Sequence, residues 1–225
     1  MMYPVSPMNP MSPFICGREE YAHLIDAIRT YERFGYRYVD APWAVSKQAM
    51  DITRPTWAGA ETLRFVAGGV ELCPVASAEQ SFLQMQMDAN KATRGPYVAF
   101  TPCFRNEPVV DDLHQPYFMK VELIYWLDPE GSFTEHEVVM HRMIDHARRF
   151  FESYIDTDIV PNTELAQSDP VGVGGAAFDV VSLRSGTEIG SYGIRQHPLV
   201  GRWVYGTGCA EPRLTYVMKR DGIGG

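Results

Sequence analysis

The chain of 225 residues lacks a long hydrophobic run, since nothing in it approaches the ~18 consecutive apolar residues of a membrane-spanning helix. The opening MMYPVSPMNPMSP lacks a basic start and an apolar core, so it does not read as a secretory leader. Cysteine is scarce: Cys16, Cys73, Cys103 and Cys209 form no C-x-x-C pair, which excludes a disulfide scaffold and a zinc ribbon. Basic charge is in deficit, with 20 Lys and Arg against 28 Asp and Glu and a net charge of −8. That balance opposes a general polyanion binder but leaves room for a local pocket of converging arginines. No Gly-Lys-Ser/Thr follows a glycine-rich turn, so there is no P-loop, and the third glycine of a dinucleotide fingerprint is missing. With 45% apolar and 21% charged residues, the chain reads as one soluble, reduced, cytoplasmic globular domain.

What is present is a mixture of helical and extended patterns. Residues 1–17, with four prolines and four methionines, read as an extended arm, and 18–225 as the folded domain. Tyr21, Leu24, Ile25, Ile28 and Tyr31 have helical spacing, which predicts a helix over Arg18–Phe34 closed by Gly35. YRYVDAPW follows as a strand ended by Pro42. Further strands are expected at Leu63–Val66, Val70–Leu72 and Tyr97–Thr101, with a helix over Ala78–Lys91. FTPCFRNE and PYFMKVELIYWL bracket PVVDDLHQ and predict an antiparallel hairpin with a long connection. Thr134–Ile155 is the longest helical pattern. AFDVVSL and TEIGSYGI read as strands, and VYGTGCAEPRLTYVMKR as a strand breaking at Gly206 and Gly208 into a helix. Strands joined mostly by hairpins, with helices between, indicate an α+β fold with a largely antiparallel sheet.

Three segments could carry chemistry. Gly35 and Pro42 punctuate the first helix and strand, which taken alone is ordinary termination. In the hairpin, Arg105 and Glu107 share a strand face, and His114, Phe118 and Glu122 follow at steps of four. Such a set can read a nucleotide, with guanidinium on phosphate, aromatic on base and carboxylate on an exocyclic amine. The third is GTGCAEPR, a glycine-rich junction at Gly206 and Gly208 that places Arg213 on the first turn of a helix, a setting that favours anions. His136, His141 and His146 recur every five residues, so they do not converge on a metal, and Cys73, Cys103 and Cys209 read as core thiols.

Together these segments resemble, in order and spacing, the three signature motifs of class II aminoacyl-tRNA synthetases over about residues 18–220. FGYRYVDAPWAV resembles motif 1, CFRNE with HQPYFMKVE resembles motif 2, and GTGCAEPRLTYVM resembles motif 3, with Ala210 in place of its third glycine. PVASAEQSF is similar to the Thr-x-Glu loop of the seryl/threonyl/prolyl branch, here Ser77-Ala78-Glu79, and TEIGSYGIR to its Glu-x-x-Ser strand, here Glu188 and Ser191. The resemblance implies adenylate formation from an amino acid and ATP. Arg105 would bridge the α-phosphate and the attacking carboxylate. Arg213 would hold the γ-phosphate and cover the adenine opposite Phe118, beside Gly208. Glu107 would accept from the adenine amine and His114 would reach the terminal phosphates. Glu188, with Ser191, would hold Mg²⁺. Ser77 and Glu79 would hold the substrate amino group, and Glu122 and Ser191 would shape the amino-acid side. The zinc ligands of one offshoot correspond here to Ser77 and Gly206, so no zinc is expected. Gly35 and Pro42 would lie at a homodimer interface.

The motifs fill the sequence, and neither an anticodon-binding domain nor a coiled-coil arm fits beside them. The expectation is therefore an amino-acid-activating ligase whose acceptor is a carrier protein, a small amine or a protein lysine instead of tRNA, or is held without a dedicated domain, with no membrane association. The alternatives are a minimal synthetase that charges tRNA and a non-catalytic regulatory subunit binding ATP or an amino acid.

Overall fold

Helix α1 (Arg18–Arg33) opens with two glutamates and closes on an arginine, an order that suits the helix dipole. Gly35, at φ +90°, turns the chain into strand β1 (Arg37–Tyr38). The structure is a computed structural model and describes residues 16–54, 63–89, 94–106, 110–128 and 130–223. Residues 1–15 of the expected arm, and Glu107, lie outside the described residues. The remaining elements are β2 (Ala44–Val45), α2 (Lys47–Ile52), β3 (Phe65–Ala67), β4 (Val70–Pro74), α3 (Ala78–Ala89), β5 (Gly95–Phe104), β6 (Tyr117–Trp126), α4 (Phe133–Phe151), β7 (Thr157–Pro161), α5 (Thr163–Ser168), β8 (Gly172–Ser182), β9 (Glu188–His197), β10 (Gly201–Glu211) and α6 (Arg213–Arg220).

Seven strands form one sheet in the order β1-β5-β6-β10-β9-β8-β7, with every described pairing antiparallel except β1 with β5. A small antiparallel sheet, β2-β4-β3, stands beside it. The fold is thus α+β and largely antiparallel. The expected hairpin is β5–β6, in a register that sets Cys103 opposite Phe118.

Alternation along the strands separates two faces. On one, Val98, Val121, Leu123, Val204 and Ile194 join Leu24 and Tyr31 of α1, Met143 and Phe150 of α4, and Leu214 and Val217 of α6 in the main core. On the other, Tyr97, Ala99, Ile124, Trp126, Trp203 and Tyr205 pack under Ala78, Phe82 and Leu83 of α3. The second face is polar where α3 does not cover it, and the candidate site lies there. Cys73, Cys103 and Cys209 are buried, and burial pushes the Cys103 thiol up to about 11.

Several details depart from expectation. β10 does not break at its glycines but runs through them to Glu211, with a bulge between Thr207 and Cys209. The strand continues because the absent side chains make room for core residues. A Cβ at Gly206 would meet Tyr192 at 2.4 Å, and one at Gly208 would meet Tyr31 and Val121 at 2.9 Å. Tyr31 and Tyr192 donate to the carbonyls of Gly208 (2.9 Å) and Thr207 (2.6 Å), which anchors the bulge. β5 stops at Phe104, so Arg105 follows the strand instead of lying on it. Helices α2 and α5 and strands β2 and β7, all short, carry periods too brief to read. Tyr21 and Ile25 of α1 are exposed, because only the Leu24–Tyr31 side of the helix meets the sheet.

Candidate active site

The polar face forms the floor of a cavity of about 890 Å³, walled by the β5–β6 connection, the start of α3, and the junction of β10 with α6. β6 contributes Phe118, Lys120 and Glu122, which alternate with the core residues Met119, Val121 and Leu123. By the same alternation β10 presents Tyr205 and Thr207, and β9 presents Ser191 and Arg195. Gly193 lies between those two, and a Cβ there would strike the Tyr205 ring at 2.8 Å.

At one end, the Arg105 amide bonds Pro116 O (2.9 Å), and its Nε donates to Ala76 O (3.2 Å). Its guanidinium lies 4.9 Å from the centre of the Phe118 ring. Facing it, Arg213 Nη1 pairs with Glu188 (3.0 Å) and Nη2 donates to Leu113 O (3.1 Å), so one side chain ties the connection to β9. In that connection Asp111 accepts from the amides of Leu113 (2.8 Å) and His114 (2.7 Å) and contacts the His114 ring (2.9 Å). Those backbone bonds hold the Asp111 carboxyl below its ordinary value.

At the other end, charges interlock. Ser77 donates to Glu122, and Lys120 Nζ sits 3.1 Å from the same carboxylate. Trp203 Nε1 donates to Glu79 Oε1 (2.6 Å), while Arg195 pairs with Glu79 Oε2 and, through Nε, with Asp169 (2.6 Å). Arg195 also stacks over Tyr205, 4.0 Å from the ring centre. Burial raises the Glu79 pKa, with Arg195 opposing.

The structure therefore gathers Ser77, Glu79, Arg105, His114, Phe118, Glu122, Glu188, Ser191 and Arg213 around one cavity. Gly208 stands apart, since its missing side chain faces Tyr31 and Val121 in the core. Gly35 and Pro42 lie away from the cavity lining, and Pro42 O accepts from Ser81 Oγ (2.6 Å). Lys120, Asp169, Arg195, Tyr205 and Thr207 were not anticipated. The even steps along one strand face, two residues from Phe118 to Lys120 and four from Ser191 to Arg195, were the available signal for two of them. The three α4 histidines turn to separate neighbours: His136 to Asp128 O and Arg202, His141 to Phe178, His146 to Phe34.

The donors fit a hard cation such as Mg²⁺. Glu188 is partly exposed on the wall, and Ser191 Oγ and Asp179 Oδ1, on paired residues of β9 and β8, are buried without a well-formed hydrogen bond. Among the described residues no cluster of three His, Cys, Asp or Glu is arranged as a metal site, and no helix is long and apolar enough to cross a membrane.

The sequence matches no protein-family model and no curated protein. The fold does have solved counterparts. The cytoplasmic serine-tRNA ligase of Naegleria fowleri, in complex with AMP, superposes with a TM-score of 0.71 at 16% identity, over 85% of this chain and 46% of that one. The seryl-tRNA synthetase of Pyrococcus horikoshii, complexed with ATP, gives 0.66 at 19% identity, over 86% and 49%. PylSc, a pyrrolysyl-tRNA synthetase of Desulfitobacterium hafniense, gives 0.61 at 19% identity, over 90% and 69%. The chain spans about half the length of the two seryl enzymes.

Proposed function

From the class II aminoacyl-tRNA synthetase catalytic-core fold of this chain, we propose that it activates an amino acid with ATP. The amino-acid carboxylate attacks the α-phosphorus, an acyl–phosphate bond forms, and pyrophosphate leaves with the electrons of the broken bond. The observation that carries this reading is the pair of arginines converging on one cavity, Arg105 beside Phe118 and Arg213 tied to both Leu113 O and Glu188. Two of the fold's solved counterparts hold AMP or ATP.

In this mechanism Arg105 neutralises the α-phosphate and the incoming carboxylate. Arg213 exchanges its present partners for terminal phosphate and covers the adenine that Phe118 supports from below. Such in-line displacement needs positioning and charge neutralisation more than proton transfer. His114, half-exposed in the connection, swings to the terminal phosphates, and Glu107 receives the adenine amine. Glu188 and Ser191 would hold Mg²⁺, which supplies charge neutralisation at the phosphates. Ser77, Glu79 and Glu122 form the amino-acid end, where three carboxylates (Glu79, Glu122, Asp169) outnumber the two cations Lys120 and Arg195 that contact them. That surplus suits one substrate ammonium.

We further read the acceptor as other than tRNA, because a net charge of −8 opposes phosphate gathering. A homodimer is supported by Tyr21 and Ile25 of α1, with Tyr38 and Trp43 around Pro42, all exposed and apolar. Four free cysteines fit a reducing, cytoplasmic setting. A second reading, a binding subunit without turnover, rests on Glu79, both of whose oxygens already have protein partners.

Amino-acid-dependent ATP–pyrophosphate exchange without tRNA separates the two. Exchange with one amino acid supports activation. ATP binding with no exchange for any amino acid favours the binding subunit, and absence of ATP binding overturns both.

A further inference from the structure

In the proposed mechanism Arg213 holds terminal phosphate and covers the adenine, and its aim depends on how α6 is set. Pro212, at the helix N-cap position, makes no side-chain cap bond. The residue before it does. Glu211, fully buried at the end of β10, accepts from the Thr215 amide (3.1 Å) and the Thr215 hydroxyl (3.2 Å). Its carboxylate thus caps a first-turn amide and places negative charge at the positive end of the helix that begins with Arg213. On the far side the same carboxylate meets His23 Nδ1 of α1 at 2.6 Å, from a position 188 residues away in sequence.

A carboxylate buried that deeply is costly unless each oxygen is satisfied, and here three protein groups satisfy it. An apolar residue in the same place would leave the first turn of α6 uncapped. The arrangement joins the exposed-faced helix α1 to the arginine that closes the cavity, through His23, Glu211 and Thr215. His23 stacks edge-on against Tyr154 at 4.8 Å, which fixes the imidazole that holds Glu211.

We propose that Glu211, oriented by His23, is a positioning residue that aims Arg213 at the ATP phosphates by capping α6. The proposal rests on the reading of Arg213 as a phosphate ligand. It acts on nucleotide affinity and leaves the amino-acid end, built on α3, β6 and β9, unchanged.

The test is a double-mutant cycle on ATP binding, by calorimetry on the intact protein, with Glu211→Gln and His23→Gln each combined with Arg213→Ala. Thermal melts without ligand check that each variant folds, and His23→Gln serves if Glu211→Gln does not fold. Each single variant is expected to weaken ATP binding about five- to tenfold, the size of a lost cap. Neither is expected to weaken it further once Arg213 is alanine. Wild-type ATP affinity in both variants, or losses that add fully to that of Arg213→Ala, would overturn the proposal while leaving the ATP site intact. Absence of ATP binding by the wild type is a different result, which removes the reading of Arg213 and this proposal together.

Discussion

Arg105 holds its guanidinium 4.9 Å from the ring centre of Phe118, across the β5–β6 hairpin and just beyond the last residue of β5. The ring and the Ala76 carbonyl fix the cation's direction before any ligand arrives. A pre-aimed charge costs little reorganisation when charge develops on a phosphate. Replacing Arg105 with alanine is expected to abolish ATP-dependent thermal stabilisation and to cut the exchange rate roughly 10²–10³-fold. The unliganded melting temperature should stay near wild type. Equal stabilisation of mutant and wild type by ATP would remove Arg105 from the nucleotide site.

Arg195 presents a different case, because its partners are carboxylates that are themselves buried. Substituting methionine keeps most of the volume but leaves Glu79 and Asp169 without their cation. The expected loss is about 3–5 kcal/mol of folding stability, read from denaturant unfolding. A change under about 1 kcal/mol would show that the network is solvated and weak.

Both sites show what a sequence can disclose. The hairpin was legible because its pattern is local: ten-residue runs of alternating character flank a polar connection, and Phe118 and Glu122 fall on one face by counting. The ion pair of Arg195 with Glu79 was not, because it spans 116 positions and joins strand to helix only once the sheet has formed. Arg195 carried a faint signal, its even spacing from Ser191. The glycines of β10 were legible as a glycine-rich junction but not as packing positions, because the neighbours that exclude a side chain come from elsewhere in the fold: Tyr192 of β9 at Gly206, and Tyr31 of α1 with Val121 of β6 at Gly208. His23 and Glu211 gave no sign, since a histidine on a helix and a glutamate before a proline are ordinary residues until a fold opposes them.

Gly208 separates packing from ligand approach experimentally. An alanine there would place its Cβ 2.9 Å from both the Tyr31 ring and Val121, and 3.1 Å from the Val121 carbonyl. The expected outcome is a loss of about 1–3 kcal/mol in stability with ATP affinity unchanged in the folded fraction. A variant of wild-type stability with weakened ATP binding would instead return the glycine to the nucleotide site.

The His23–Glu211 pair gives stability a pH dependence. The hydrogen bond to Glu211 raises the His23 pKa, Glu19 and Glu20 add to the effect, and burial opposes it. The groups facing the imidazole are Glu211, Thr215 and the Tyr154 ring. A raised folded value means that the folded state holds the proton more tightly. The stabilisation is therefore complete below the unfolded value of about 6.5 and is lost as pH rises through the folded value above it. Denaturant unfolding at a series of pH values should show the wild type's advantage over His23→Gln shrinking from pH 6 toward pH 9. An advantage that grows over that range would reverse the sign and exclude a charged His23.

The exposed face of α1 bears on assembly. Tyr21 is 43% and Ile25 46% exposed, one turn apart, and Trp43 is 59% exposed just past Pro42. Leaving such side chains in water forgoes about 25 cal/mol per Å² of apolar surface, which a two-fold partner presenting the same helix would recover. A homodimer built on this face should yield to Tyr21→Lys with Ile25→Lys, since each copy then meets two buried cations of its partner. Light scattering is expected to give about twice the chain mass for wild type and the chain mass for the double variant. Because α1 also carries His23, the monomeric variant should bind ATP more weakly than wild type even though neither substituted residue lines the cavity. A double variant that stays dimeric places the interface elsewhere. One that becomes monomeric with full ATP affinity keeps the interface but uncouples it from Arg213.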